Sequence, residues 1–345
     1  MEEPKLTEIS SLGEFGLIDR LTAGLGEPVN ASTLKGPGDD CAVLRFGDKE
    51  LLVTTDLLLE GIHFDLTYVP LKHLGYKAVV VNLSDIYAMN GTPRQITVSL
   101  GISSRFAVEH LDALYEGIRL ACRVYGVDLV GGDTSASRQG LVISITAVGE
   151  VEPGKAVYRS GAKDTDLICV SGDLGAAYMG LQLLEREKVA GAGQIDFQPD
   201  FAGKEYIVER QLKPEARREI IETLGREGIV PTSMMDISDG LSSELLHICR
   251  ASGTGCRIYE DRIPIDYQTA SMAEDLGLNV LTVALNGGED YELLFTVPLH
   301  LHQKIESLPG IKVIGHITKP ELGCALVTGD GQEIPLRAQG WNSLQ

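Results

Sequence analysis

Basic residues are scarce in this chain. Thirty Lys and Arg stand against 49 Asp and Glu, a formal net charge of −19 over 345 residues. Binding along nucleic acid needs clustered cations to neutralise phosphates, so this balance argues against a nucleic-acid partner. A small anionic ligand is still allowed, because magnesium and a few local cations can reverse the field within one cleft. Long apolar runs are also missing. The longest are broken by charge well short of the ~20 residues of a membrane span. The opening MEEPKLTEIS is acidic and polar, unlike a secretory signal. The six cysteines, Cys41, Cys122, Cys169, Cys249, Cys256 and Cys324, include no C-x-x-C pair. That scatter points to a reduced, cytoplasmic protein with incidental thiols, and neither histidines nor cysteines show the spacing of a zinc site.

What the chain has is an apolar fraction of 43%, enough for substantial cores, and a length that suggests two domains. It also has acids at the ends of apolar strands. Residues 35–56, KGPGDDCAVLRFGDKELLVTTD, place Asp39 and Asp40 after a Pro-Gly turn and end a strand-like run on Thr54, Thr55 and Asp56. Acids sharing a cleft repel one another and need a divalent cation, a proton or a cationic ligand. Lys35 is close enough in sequence to meet a phosphate or Asp39. His63, a few residues on, fits either a core position or a substrate contact.

The helix predicted from Pro70 to about Met89 carries Asn82 and Asp85 three residues apart on one side of a very apolar segment. A bare Asp85 there would cost several kcal/mol, so it needs a partner. The run VDLVGGDTSAS reads as a strand in which Gly131 and Gly132 let backbone approach a ligand and Asp133 projects a carboxylate. Texture changes near Glu152 and Gly154, which divides the chain into 1–151 and 152–345. Beyond that boundary, Arg159 and Lys163 form a compact basic loop. The turn 171–175 opens a helix whose free N–H groups could take an anion, without a P-loop or dinucleotide fingerprint. Residues 191–201 suggest a loop or flap. Asp236 and Asp239 flank a helix mouth that Ser238 or Asp239 could cap. NVLTVALN reads as a strand ahead of Gly287, Gly288, Glu289 and Asp290. Trp341, the sole tryptophan, sits in a polar tail and fits either core anchoring or stacking on a ligand ring. Near its start, Ser11 and Glu14 have the spacing of a capping box. So many acids at element ends suit two or more hard divalent cations on a polyphosphate.

Together GPGDDCAV, TTDLLLEGIHF, YKAVVVNLSDIYAMNGTP, LVGGDT, YRSGAKDTD, MDISDGL and NGGEDYELLF resemble the thiamine-monophosphate kinase family, whose superfamily includes aminoimidazole ribonucleotide synthetase and selenophosphate synthetase. The resemblance implies a two-domain α/β (α+β) fold whose first domain builds an intersubunit β-barrel in a homodimer. It also implies transfer of the γ-phosphoryl of ATP to the phosphate of thiamine monophosphate, with Mg2+. Carried onto this chain, it makes Asp39, Thr54, Asp56, Asp85, Asp133, Asp236 and Asp239 magnesium ligands. Asp39, Asp56, Asp133, Arg159 and Asp239 become catalytic. Asp40, Thr54, Thr55, Gly131, Gly132, Asp133, Arg159 and Ser238 become nucleotide-binding. His63, Phe64, Glu289, Asp290 and Trp341 fall at the thiamine monophosphate. Where the family often continues after its C-terminal aromatic as x-His-Phe, this chain reads Asn-Ser-Leu. Two other readings are carried: a superfamily enzyme that phosphorylates or activates a different small molecule, and a non-catalytic magnesium-nucleotide regulator. ADP formation stimulated by thiamine monophosphate separates both from the kinase.

Overall fold

The computed structural model describes residues 13–23, 30–193 and 198–338. The proposed cap Ser11 and the C-terminal Trp341 lie outside them, as do residues 194–197 of the suggested flap. In order, the elements are α1 (Gly13–Thr22), β1 (Thr33–Lys35), β2 (Ala42–Phe46), β3 (Lys49–Leu59), α2 (Leu71–Ala88), β4 (Thr92–Ile102), α3 (Val108–Tyr125), β5 (Asp128–Ala136) and β6 (Val142–Val151). There follow β7 (Leu167–Ser171), α4 (Ala176–Gly191), α5 (Glu205–Leu212), α6 (Arg218–Arg226), β8 (Ser233–Asp236), α7 (Leu241–Ser252) and β9 (Gly255–Tyr259). The last are α8 (Tyr267–Asp275), α9 (Val280–Asn286), β10 (Leu293–Val297), α10 (His302–Glu306), β11 (Ile311–Thr318), β12 (Cys324–Val327) and β13 (Glu333–Pro335). This is a mixed α/β fold with two sheets.

Among the described residues, strands up to Val151 form one sheet in the order β1-β2-β3-β6-β4-β5, and strands from Leu167 form a second, β13-β12-β9-β11-β7-β10-β8. Pairing is antiparallel except β4 with β5 and β9 with β12. Alternation decides the faces of the first sheet. On β3, Leu52 and Leu58 are buried while Thr55 and Leu57 are exposed; on β6, Ile143, Ile145 and Ala147 are buried. The buried face packs against α2, whose residues 74–84 are all buried, so this helix has no wet side there. Helices α2 and α3 cross at two glycines. A Cβ on Gly75 would lie 2.0 Å from the Leu114 carbonyl oxygen, and one on Gly117 would lie 1.9 Å from that of Lys72. No other residue permits that approach.

The halves are joined through α2. Its core continues into Leu184, Leu212, Ala216 and Tyr291 of the second half. Buried Lys77 reaches the Gln211 carbonyl at 3.0 Å and the Glu289 carboxylate at 2.9 Å. Glu292, fully buried, is held by Arg210 at 2.9 Å, by Arg217 Nε at 2.6 Å and by the Ser171 hydroxyl. Such a buried carboxylate is tolerable because it is paired and hydrogen-bonded on several sides.

NVLTVALN departs from expectation: residues 280–286 are helix α9, not a strand. Asn279 caps it by accepting the Thr282 N–H at 2.9 Å. Val283, Ala284 and Leu285 bury themselves, and this packing overrides the strand preference of β-branched Val280, Thr282 and Val283.

Candidate active site

The floor of the site is the buried face of β3 and the cleft side of α2. A turn with Gly38 at φ 119° lets the chain reverse and present Asp39 and Asp40 just before β2. On β3, Thr54 and Asp56 share a parity and face α2. Asn82 Oδ1 accepts the Asp56 backbone N–H at 3.0 Å, and the Thr54 hydroxyl donates to Asp85 Oδ2 at 2.5 Å. Asp236, the last residue of β8, arrives from the other half and accepts the Ser84 hydroxyl across the junction. Carboxylate oxygens of Asp40, Asp85 and Asp236 then lie within 4.8 Å of one another.

This grouping is electrostatically costly as it stands. Burial, together with the neighbouring carboxylates, raises the Asp85 carboxyl well above its ordinary value. Burial lifts Asp236 to about 7, with Asp40 adding to it, and lifts Asp56 to about 6. Burial also raises Asp40, against the pull of Arg159. The Arg159 guanidinium donates through Nε at 3.2 Å and Nη2 at 2.6 Å, both to Asp40 Oδ1. Asp40 Oδ2 is buried without a hydrogen-bond partner among the described residues. A buried acid with an orphaned oxygen, clustered with two more carboxylates, is the environment a hard divalent cation completes. Asp40 and Asp236 are buried, while Asp56 and Asp85 keep some solvent contact, which leaves a way in.

The other expected residues divide. Asp39 lies beside the cluster but already accepts the Arg159 backbone N–H at 2.8 Å and pairs with Lys35 at 3.1 Å, so Lys35 meets the carboxylate. Ser238 is exposed and Asp239 half-buried at the mouth of α7. Neither caps that helix: its N-cap is Gly240, and the Asp239 N–H goes to Glu244 Oε1 at 2.9 Å. Glu244 went unnoticed in the sequence. It is buried in the first turn of α7, and burial raises its carboxyl well above the usual range, with Asp239 adding to it. Its signal was an acid inside SSELL, directly after the paired aspartates. Ser84, between Asn82 and Asp85, was likewise undervalued as the link to Asp236.

Seven of the expected site residues have other partners or lie away from the acid cluster. Thr55 points to the outer face of the sheet, where its hydroxyl donates to the Ile145 carbonyl at 3.0 Å, away from the acids. Asp133 stands opposite Ser99, which stands opposite Ser144, which stands opposite Leu57. Paired residues share a face, so Asp133 shares that of exposed Leu57, not that of Asp56. It is also three strands away, roughly 14 Å at about 4.8 Å per strand. Gly131 and Gly132 go with it on β5, lining a shallow pocket with Val98, Tyr115 and Leu129. A Cβ at Gly132 would lie 1.9 Å from the Val98 carbonyl oxygen, so this glycine serves strand packing. Phe64 is buried in the first core, and His63 turns inward, its Nδ1 accepting the Leu59 N–H at 3.0 Å.

Asp290 is the clearest redirection. The N–H groups at the start of α4, expected to take an external anion, take this carboxylate instead, from Gly175 at 2.7 Å and Ala177 at 3.4 Å. Asp290 is a buried internal cap of α4. Glu289 stays half-buried at the cleft, bound by Lys77 and, at 2.7 Å, by the Gln211 amide. Its backbone is left-handed at φ 64°, as is that of Tyr291 at 52°. Non-glycine residues held there cost about 1 kcal/mol or more each, typical of loops shaped for a site.

Residues 38–151 match the family described as "AIR synthase related protein, N-terminal domain". The thiamine-monophosphate kinase of Bacillus subtilis (strain 168) is 33% identical over 341 residues, covering 96% of this chain and 99% of that protein. That of Aquifex aeolicus (strain VF5) is 36% identical over 290 residues, 84% of this chain and 87% of the relative. The chain belongs to the thiamine-monophosphate kinase family. A solved structure, "AaThiL complexed with AMPPCP and TMP", superposes with a TM-score of 0.83 at 34% identity, covering 97% of this chain and 98% of that one. The HypE–HypF complex, at 21% identity and a TM-score of 0.71, shares the fold.

Proposed function

We propose that this chain transfers the γ-phosphoryl of ATP to the phosphate of thiamine monophosphate, producing thiamine diphosphate and ADP. The observation that carries this reading is the junction of Asp40, Asp85 and Asp236, with one carboxylate oxygen orphaned and Arg159 alongside. The named ligands of the solved relative, AMPPCP and TMP, agree with it.

Asp40, Asp85 and Asp236 would hold Mg2+, with Asp56 next to them and Asp39 and Asp239 at the rim. Magnesium supplies neutralisation of phosphate charge, which phosphoryl transfer between two anions needs more than a strong base. The chain's own groups do the rest. Thr54 and Ser84 fix the carboxylates by donating to them, and Asn82 fixes the β3 backbone beneath Asp56. Arg159 spends Nε and Nη2 on Asp40, and Nη1 is the atom left to meet a phosphoryl oxygen. Glu289, tied to Lys77 and Gln211, shapes the acceptor side of the cleft together with Ser238. No side chain here is required as a general base, because the acceptor phosphate is already ionised. The direct assay measures products: with MgATP, thiamine monophosphate is expected to yield thiamine diphosphate and ADP in equal amounts. ADP released at the same rate without thiamine monophosphate would refute the assignment.

The same reading divides the chain after Val151 into a first domain that carries β1 to β6 and a second that closes over the cleft. It places the enzyme in the cytoplasm; no described helix is long and apolar enough to cross a membrane. It also makes the chain a homodimer. The face of the first sheet opposite α2 leaves Leu57 51% exposed, with Thr55 and its partner Thr146 on the same side. A second copy of this face would cover them, and Asp133 would then serve a site completed across the interface. Leu57→Lys is expected to convert the dimer to monomers in a light-scattering mass measurement; a monomeric parent chain would end this part of the proposal.

A further inference from the structure

Two cysteines seven residues apart and a third much later in the chain meet where α7 packs on the second sheet. Cys249 lies in the last turn of α7, Cys256 on β9 and Cys324 at the start of β12, and their sulfurs lie within 4.8 Å of one another. All three are free thiols. Cys256 and Cys324 are direct partners in the parallel pairing of β9 with β12, so their side chains share a face, and Cys249 comes down on them from α7. The backbone around them is pinned. Arg257 Nη1 donates to the Cys256 carbonyl at 2.9 Å and to the Gly323 carbonyl at 3.0 Å. The buried Thr254 hydroxyl stands against the Cys249 thiol. Cys249 and Cys256 are buried, whereas Cys324 is partly exposed and supplies an entry.

We propose that Cys249, Cys256 and Cys324 form a binding site for a thiophilic d10 cation of the zinc and cadmium class, distinct from the magnesium cluster. Thiolate–zinc bonds of about 2.3 Å place three sulfurs about 3.8–4.0 Å apart, a contraction that small side-chain rotations supply. No carboxylate belongs to the group, so the donor set selects a soft ion and rejects Mg2+, which keeps to the oxygen ligands of Asp40, Asp85 and Asp236. Each thiol that binds releases its proton to solvent, and the ion takes its place. Bound there, the ion ties the C-terminal end of α7 to two strands, while the N-terminal end of the same helix follows Asp239 at the cleft.

The test uses the full chain, reduced with a phosphine, stripped with a chelator and titrated with Cd2+. A thiolate-to-cadmium charge-transfer band in the ultraviolet is expected to saturate at one ion per chain. Zn2+ should bleach it, excess Mg2+ should leave it unchanged, and the melting temperature should rise with saturation. Cys256→Ser and Cys324→Ser should each lower the affinity at least tenfold, while Cys122→Ser, outside the cluster, should not. Cys324 is partly exposed, so its variant serves if Cys256→Ser fails to fold. No band, a band that survives Cys324→Ser, or one lost equally in Cys122→Ser overturns the proposal.

Discussion

Asp236→Asn is expected to lower thiamine diphosphate formation by about a hundred- to a thousandfold, while making the metal-free protein more stable. Asp236 is the contribution of the second half to the acid cluster, and an asparagine oxygen can still accept the Ser84 hydroxyl. What disappears is one negative charge from the place where phosphate charge must be neutralised. Loss of one preorganised electrostatic contact of this kind typically costs ~3–4 kcal/mol in the transition state. Stability should move the other way. Burial holds the Asp236 carboxyl at about 7 against an ordinary 3.8, so ionising it near pH 8 without metal costs the fold on the order of 3–5 kcal/mol. Asparagine removes that cost. Product formation and urea melts on the same preparations check both arms; a variant that is less stable and equally active would show Asp236 to be merely structural.

Magnesium should flatten the pH dependence of stability. Asp56, with its carboxyl at about 6, and Asp236, at about 7, both titrate above their unfolded values, and Asp40 and Asp85 are raised too. Between roughly pH 4 and 7 the native chain therefore holds protons that the unfolded chain has already lost. Stability from these groups is full below the unfolded value and falls as pH rises through the folded ones. Chelated protein should thus lose several kcal/mol between about pH 5 and pH 8, and Mg2+ should restore most of it at pH 8 but little at pH 5, where protons compete. Asp290 is also raised by burial, yet none of the clustered acids contributes to its shift, so its contribution is common to both series and the difference between them isolates the cluster. Parallel curves with and without Mg2+ would mean that the carboxylates do not bind it.

The sequence by itself determined which chemistry was available. Acids at strand ends, a polar pair inside an apolar helix and a basic loop in an acidic chain were legible because each breaks a local pattern. They pointed to hard-cation phosphate chemistry before any fold was known. The tertiary structure alone decided which acids meet. Strand parity turned Thr55 and Asp133 away from Asp56, since a shift of one residue exchanges the faces of a sheet, and Asp133 lies on the edge strand β5 with β6 and β4 between it and β3. A long-range capping bond commits Asp290 to α4, a partner the sequence hides because that helix begins more than a hundred residues earlier. The three scattered cysteines converged for the same reason: distance along the chain says nothing about distance through the core, and only the packing of α7 on β9 and β12 brings their sulfurs together.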